Sequence, residues 1–137
     1  MRNLEVVKFI VSLNKFDLKE KYNNESLLNL ATRNNNLALL KYLINLNQID
    51  INQKDGEGKT IFLVACSNYS LELSIIRYIS ELKGIDLQTK DLKGNNALHL
   101  VCKHDNNLIV VKFILSLKIF GVNDRNHYYF RGSVGRK

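Results

Sequence analysis

The sequence predicts an all-α solenoid, built from stacked helix–turn–helix units with tight turns between them. A pattern of two aliphatic residues, a basic residue, an aromatic residue and an aliphatic residue occurs four times, at residues 6–10, 39–43, 75–79 and 110–114. The copies are spaced by 33, 36 and 35 residues. A second stretch, at 55–66, recurs at 91–102. Such a period is typical of a solenoid, in which each unit buries its apolar face against its neighbours.

Each unit is predicted to contain a short first helix and a longer second helix. The second helix carries the five-residue pattern, and its apolar residues recur at helical spacing, for example at Leu40 and Leu43. The first helices are predicted at residues 27–33, 61–67 and 97–103. Each follows a residue that commonly caps a helix N-terminus, namely Ser26, Thr60 and Asn96.

The turn before each first helix has its own signature. Asp55 and Asp91 can accept backbone hydrogen bonds in a tight turn. Gly58 and Gly94, three residues later, can supply the positive φ that such a turn needs. These residues therefore predict two equivalent turns, one at the start of each of the last two units.

Composition sets the broad class of the protein. With 137 residues, 45% of them hydrophobic, the chain can fill one domain and is too apolar for a disordered segment. Its apolar runs fall well short of the roughly 18 residues of a membrane span. We therefore expect an intracellular protein without a signal peptide or membrane contact. The net charge is +7, and more than half of the excess lies in residues 118–137, which weakens the case for a body that binds polyanions.

The turn and first-helix stretches resemble the ankyrin repeat, whose signature is Asp-x-x-Gly-x-Thr-x-Leu-His-x-Ala. The resemblance covers about residues 1–117, although the usual Pro after the capping residue is absent and the His occurs once, as His99. It implies an ankyrin-type solenoid with short β-turn fingers. The expected division is a partial repeat at 1–20, repeats at about 21–54, 55–90 and 91–117, and an incomplete repeat with a basic tail at 118–137. We expect a fragment of a longer array or a truncated product.

No catalytic motif stands out in the sequence, so we expect no enzyme activity, cofactor or small-molecule substrate. His99, Cys102 and His104 could supply three zinc ligands. The preferred interpretation is that His99 is the hydrogen-bonding histidine of the repeat and that His104 is exposed. Cys66 and Cys102 occupy equivalent points of successive units, so we expect two buried free thiols rather than a disulfide.

The resemblance implies a scaffold that binds a protein partner through its turn tips and first helices. Its contact positions fall on Tyr22, Asn23, Glu25, Arg33, Asn34, Lys54, Glu57, Lys59, Ser67, Asn68, Lys90, Leu92, Lys93, Asn95, Lys103 and His104. One alternative is a basic accessory protein that binds nucleic acid. It would use the basic residues of the repeated pattern and the tail at 125–137. Another is that the chain belongs to a larger ankyrin-containing protein whose activity lies elsewhere.

Overall fold

The structure is a computed structural model that describes residues 4–12, 20–21, 25–104 and 108–120. These residues form helices α1 (Leu4–Ser12), α2 (Leu27–Arg33), α3 (Leu37–Asn45), α4 (Ile61–Ser67), α5 (Leu73–Ser80), α6 (Ala97–Val101) and α7 (Leu108–Ser116). No β-sheet forms among them. The predicted all-α class is confirmed.

The helices pair into three units that stack along one direction. Contacts within the units join α2 to α3, α4 to α5 and α6 to α7. Contacts between the units join the first helices, α2 to α4 and α4 to α6. The first helices have seven, seven and five residues, whereas the second helices have nine, eight and nine. Each unit is therefore a short helix followed by a longer one, as the periodicity predicts.

The core is continuous along the stack, and α4 lies at its centre. All six residues from 61 to 66 in α4 are at most 1% exposed. The repeated pattern adds apolar side chains from the second helices, for example Leu40 and Leu43 from α3, which are at most 1% exposed. Burial of one such side chain contributes about 1.5–3 kcal/mol. The stack is thus stabilised by contacts between neighbouring units.

The predicted N-caps are present in all three units. The side chains of Ser26, Thr60 and Asn96 each accept a hydrogen bond from the backbone N–H three residues later, at 3.3, 3.4 and 2.9 Å. In the third unit, His99 Nδ1 also accepts from the Asn96 N–H at 3.0 Å, which completes a capping box. These bonds satisfy backbone donors that would otherwise lie buried without a partner.

The third first helix is shorter than predicted. The sequence pattern predicts helix through residue 103, but α6 ends at Val101. The N–H groups of Lys103 and His104 donate to carbonyls three residues earlier, at 3.2 Å each, so the chain tightens into a turn. The helical sequence pattern therefore extends beyond the end of α6. The last residues of the pattern form a tighter turn that leads into the polar linker.

The basic residues of the repeated pattern connect successive second helices. Three of the four basic side chains lie over the aromatic ring that the next copy of the pattern supplies. The cation-to-centroid distances are 5.6 Å for Lys8 and Tyr42, 5.4 Å for Lys41 and Tyr78, and 4.8 Å for Arg77 and Phe113. We call this series of contacts the inter-repeat ladder. Distances below about 6 Å are those of cation–π attraction.

Replacing Arg77 with Met should destabilise the stack, because it removes the cation over Phe113 while keeping an unbranched side chain. We expect a loss of about 0.5–1 kcal/mol, measured by denaturant unfolding of the full chain. Lys112→Met is the matched control, since Lys112 lies over no ring among the described residues. In a Phe113→Leu background the effect of Arg77→Met should disappear. Equal losses for the two Met variants would contradict the ladder.

Candidate interaction surface

Two equivalent turns build the candidate surface, and we call them the second turn (residues 55–59) and the third turn (residues 91–95). In the second turn, Asp55 Oδ1 accepts hydrogen bonds from the N–H groups of Glu57 and Lys59, at 2.8 and 2.9 Å. Asp91 Oδ1 accepts equivalent bonds in the third turn, at 2.9 and 2.8 Å. The predicted role of both aspartates is confirmed, and each turn is fixed by its own first residue.

The two turns also touch each other through the backbone. The Leu92 N–H donates to the Glu57 carbonyl at 3.0 Å. Gly58 has a φ of 78°, and a Cβ atom there would lie only 2.9 Å from the Leu92 nitrogen. Glycine at 58 is therefore needed twice, once for the positive φ and once for the close approach of the third turn. The turns form one rigid edge.

A cavity of about 250 Å³ opens between the two turns and α6. It is lined by Gly56, Glu57, Lys59, Asp91, Leu92, Lys93, Asn95, Leu100 and Lys103. Six of the predicted contact residues therefore meet at one place. Leu92 is 72% exposed at this cavity, so an aliphatic side chain there is open to contact.

Some charged side chains at the cavity form an ion pair, and others do not. Lys59 Nζ lies 3.0 Å from Glu57 Oε1. The hydrogen bond and charge of Lys59 lower the pKa of Glu57, and the more distant charges of Arg33 and Lys93 add to this effect. Asp91 is 8% exposed and holds the turn. Lys93 and Lys103, by contrast, make no ion pair with any described residue.

Of the predicted residues of the first unit, Arg33 contacts the second turn. Arg33 forms an ion pair with Glu25, and its Nη2 lies 3.7 Å from Asp55 Oδ2. Asn34 follows as the exposed C-cap of α2. Tyr22 and Asn23 lie outside the described residues. Arg33 therefore links the first unit to the turn of the second.

Other predicted residues lie around the cavity or serve the scaffold. Asn95 is 2% exposed, and its Nδ2 lies 3.4 Å from Asp91 Oδ2 within the third turn. Asn68 Nδ2 donates to the Thr32 carbonyl at 3.2 Å, which joins the C-cap of α4 to α2 of the preceding unit. Ser67 is half-buried at the end of α4. Lys54 and Lys90 are exposed before the two turns, away from the cavity lining.

Tyr69 is a surface residue that sequence reasoning did not single out. It follows α4 in a polar linker and is 98% exposed. Its ring lies edge-on to His104, with 6.5 Å between centroids and an interplanar angle of 85°. His104 follows Lys103, so an exposed aromatic ring lies near the α6 end of the cavity. Tyr69 lies in a linker, outside the repeated patterns, so no periodic signal in the sequence identifies it.

The comparisons with known proteins now decide the family. A family model described as ankyrin repeats (3 copies) matches residues 1–91 and 28–126, which is most of the sequence. The chain belongs to the ankyrin-repeat family. Ankyrin repeats are generally protein–protein interaction modules without catalytic activity. No curated protein matched the chain significantly.

The zinc-ligand hypothesis finds no support in this ankyrin-repeat structure. His99 is 4% exposed, and its Nδ1 is occupied by the Asn96 N–H within the capping box. His99 thus has the hydrogen-bonding role that the preferred interpretation gives it. Among the described residues, no three potential metal ligands cluster. No described helix is long and apolar enough to cross a bilayer.

The expectation of two buried thiols is wrong for Cys102. Both cysteines are free, but Cys66 is buried and Cys102 is exposed. Cys66 lies in α4 between the neighbouring first helices, whereas Cys102 is the C-cap of α6, where the described chain has left the helix. Equivalent positions in an ankyrin stack therefore differ in burial because they differ in what packs against them. Burial raises the pKa of both thiols, most strongly for Cys66.

Iodoacetamide should modify Cys102 and spare Cys66 in the native ankyrin stack, as measured by mass spectrometry of proteolytic fragments. The thiolate is the reactive form, so the raised pKa of Cys102 should shift its labelling rate to higher pH than that of the unfolded chain. The Cys102→Ser variant should lose native labelling, and denaturation should restore reaction at Cys66. Native modification of Cys66 ahead of Cys102 would refute this assignment.

Gly58→Ala should destabilise the protein more than Gly84→Ala. Both glycines have positive φ, 78° and 84°, but no atom lies within 4 Å of the position that a Cβ would take at Gly84. The control should therefore lose only the conformational cost of about 1–2 kcal/mol. Gly58→Ala should lose about 1 kcal/mol more, because the Leu92–Glu57 hydrogen bond must lengthen. Denaturant unfolding measures both, and equal losses would mean that the turns can separate freely.

Proposed function

We propose that this ankyrin-repeat protein is a non-catalytic interaction module that binds a protein partner across its turn tips and first helices. The proposal treats the repeats at about 21–54, 55–90 and 91–117 as the binding stack. It assigns no binding role to the segment at 118–137. Protein interaction is a general property of the ankyrin-repeat family, and the proposal adds the surface that this chain uses.

The observation that carries the proposal is the cavity between the second and third turns. Its walls come from two turns that are fixed by internal hydrogen bonds and by each other. A rigid concave site loses little conformational freedom when it binds, so more of the contact energy remains available for affinity. Side chains in such a site can be desolvated by a partner, which is where binding hot spots occur.

The opposite face of the stack supports this choice of surface. Three of the four basic residues of the repeated pattern already lie over aromatic rings in the inter-repeat ladder. The ladder stabilises neighbouring units without any external ligand. These cations therefore have a structural explanation, which removes the main reason to assign them to a nucleic acid.

A photo-cross-linking amino acid placed on each face tests the proposal. Positions 93 and 103 probe the cavity, and positions 83 and 112 serve as exposed controls away from it. We expect protein adducts from extracts of the native cells at 93 and 103, and few at 83 and 112. Mass spectrometry identifies the adducts, and nuclease treatment should not change them.

Two outcomes would overturn the proposal. Adducts that form mainly at 83 and 112 would place the partner away from the cavity. Adducts that nuclease removes, with binding that falls steeply as salt rises, would favour the nucleic-acid alternative. Equal melting curves for the four variants establish that the comparison concerns binding and not folding.

A further inference from the structure

The exposed side chains at the cavity include an apolar one, Leu92, two cations, Lys93 and Lys103, and one anion, Glu57. Leu92 is 72% exposed at the turn end, and Tyr69 is 98% exposed near the α6 end. Lys93 and Lys103 line the cavity and make no ion pair among the described residues. Aromatic and aliphatic anchors beside unneutralised cations are a combination that a partner can complement.

The two carboxylates of the cavity cancel only part of its positive charge. Asp91 is 8% exposed, and its Oδ1 accepts two backbone hydrogen bonds at 2.9 and 2.8 Å. Glu57 is matched by Lys59 at 3.0 Å. Three lysines and two carboxylates line the cavity, which leaves a net charge of +1, and neither Lys93 nor Lys103 forms an ion pair with a described residue. A partner that brings negative charge would replace their water with ion pairs in a partly enclosed site, where such pairs are less screened than on an open surface.

We propose that the cavity binds an acidic segment of a protein partner, with an apolar side chain of that segment packed on Leu92. This inference rests on the proposed function and adds the chemistry of the partner. Carboxylates of the segment pair with Lys93 and Lys103. Tyr69 is exposed beside His104, the residue after Lys103, and offers a second apolar contact there.

A polypeptide fits this surface better than a nucleic-acid backbone does. Glu57 lines the cavity, and its side chain is 72% exposed. A polypeptide can place a backbone N–H donor against Glu57 and its carboxylates against the lysines. A continuous phosphate backbone has no donor of this kind and would bring negative charge to Glu57 as well. The exposed Leu92 side chain likewise matches an apolar side chain better than it matches a phosphate.

Selection of random peptides displayed on phage against the full chain tests this inference. We expect the enriched peptides to combine Asp or Glu with a nearby aliphatic or aromatic residue. The most enriched peptide is then synthesised, and its affinity is measured by fluorescence anisotropy. Lys93→Glu with Lys103→Glu should weaken binding by about tenfold or more, and Leu92→Ala should also weaken it.

The matched control is Lys83→Glu with Lys112→Glu, which makes the same change in net charge at two exposed residues outside the cavity. It should leave the affinity within about twofold, because distant exposed charges are largely screened. Equal thermal melting of the variants excludes unfolding as the cause. If Lys93→Glu with Lys103→Glu does not fold, Leu92→Ala and neutral Lys93→Gln carry the comparison.

The inference is overturned if the enriched peptides are basic or lack charge, or if no peptide is enriched. It also fails if the control weakens binding as much as the cavity variant does. Tighter, Lys93-dependent binding of a single-stranded oligonucleotide would replace the acidic segment with a nucleic acid. Cross-linking at positions 93 and 103 distinguishes failure of this inference from failure of the proposed function. Protein adducts at these positions would support the proposed function even if the partner segment is not acidic.

Discussion

Close packing between successive first helices is the constraint on which the rest of the structure depends. Helix α4 buries residues 61–66 completely, and it can do so only because α2 lies on one side and α6 on the other. The same spacing must be kept by the turns that precede these helices. Gly58 makes this possible, since any side chain there would meet the backbone of Leu92. The close packing of the first helices and the close approach of the turns therefore depend on the same spacing between units.

The inter-repeat ladder shows how one short pattern serves both the core and the stack. In the second, third and fourth copies, most of the aliphatic residues are buried in the core, while the basic residue is exposed and the aromatic residue is half-buried. The basic residue covers the ring of the next unit, and the aromatic residue is covered by the unit before it. A single helix cannot complete these contacts alone. Stability along the outer face thus comes from neighbours, as it does in the core.

Features that depend on nearby residues could be predicted from the sequence, and those that depend on neighbouring units could not. The caps at Ser26 and Thr60 and the turn at Asp91 are local hydrogen-bonding patterns, and the structure contains them as predicted. The exposure of Cys102 is different, because it depends on what packs beyond α6. The ladder is different too, since each cation and its ring are more than thirty residues apart in the chain. The periodicity of the sequence identified the basic and aromatic residues of the ladder, but it did not show which basic residue lies over which ring.

Each turn separates the residues that hold the scaffold from those that face solvent. The Asp and Gly positions are fixed, because the carboxylate must accept backbone donors and the glycine must adopt a positive φ. The intervening positions make no such demand on their side chains. In the third turn these are Leu92 and Lys93, both exposed at the cavity. Substitutions there change what the surface can recognise while the hydrogen bonds of the turn persist, so the chemistry of binding can vary without a change in fold.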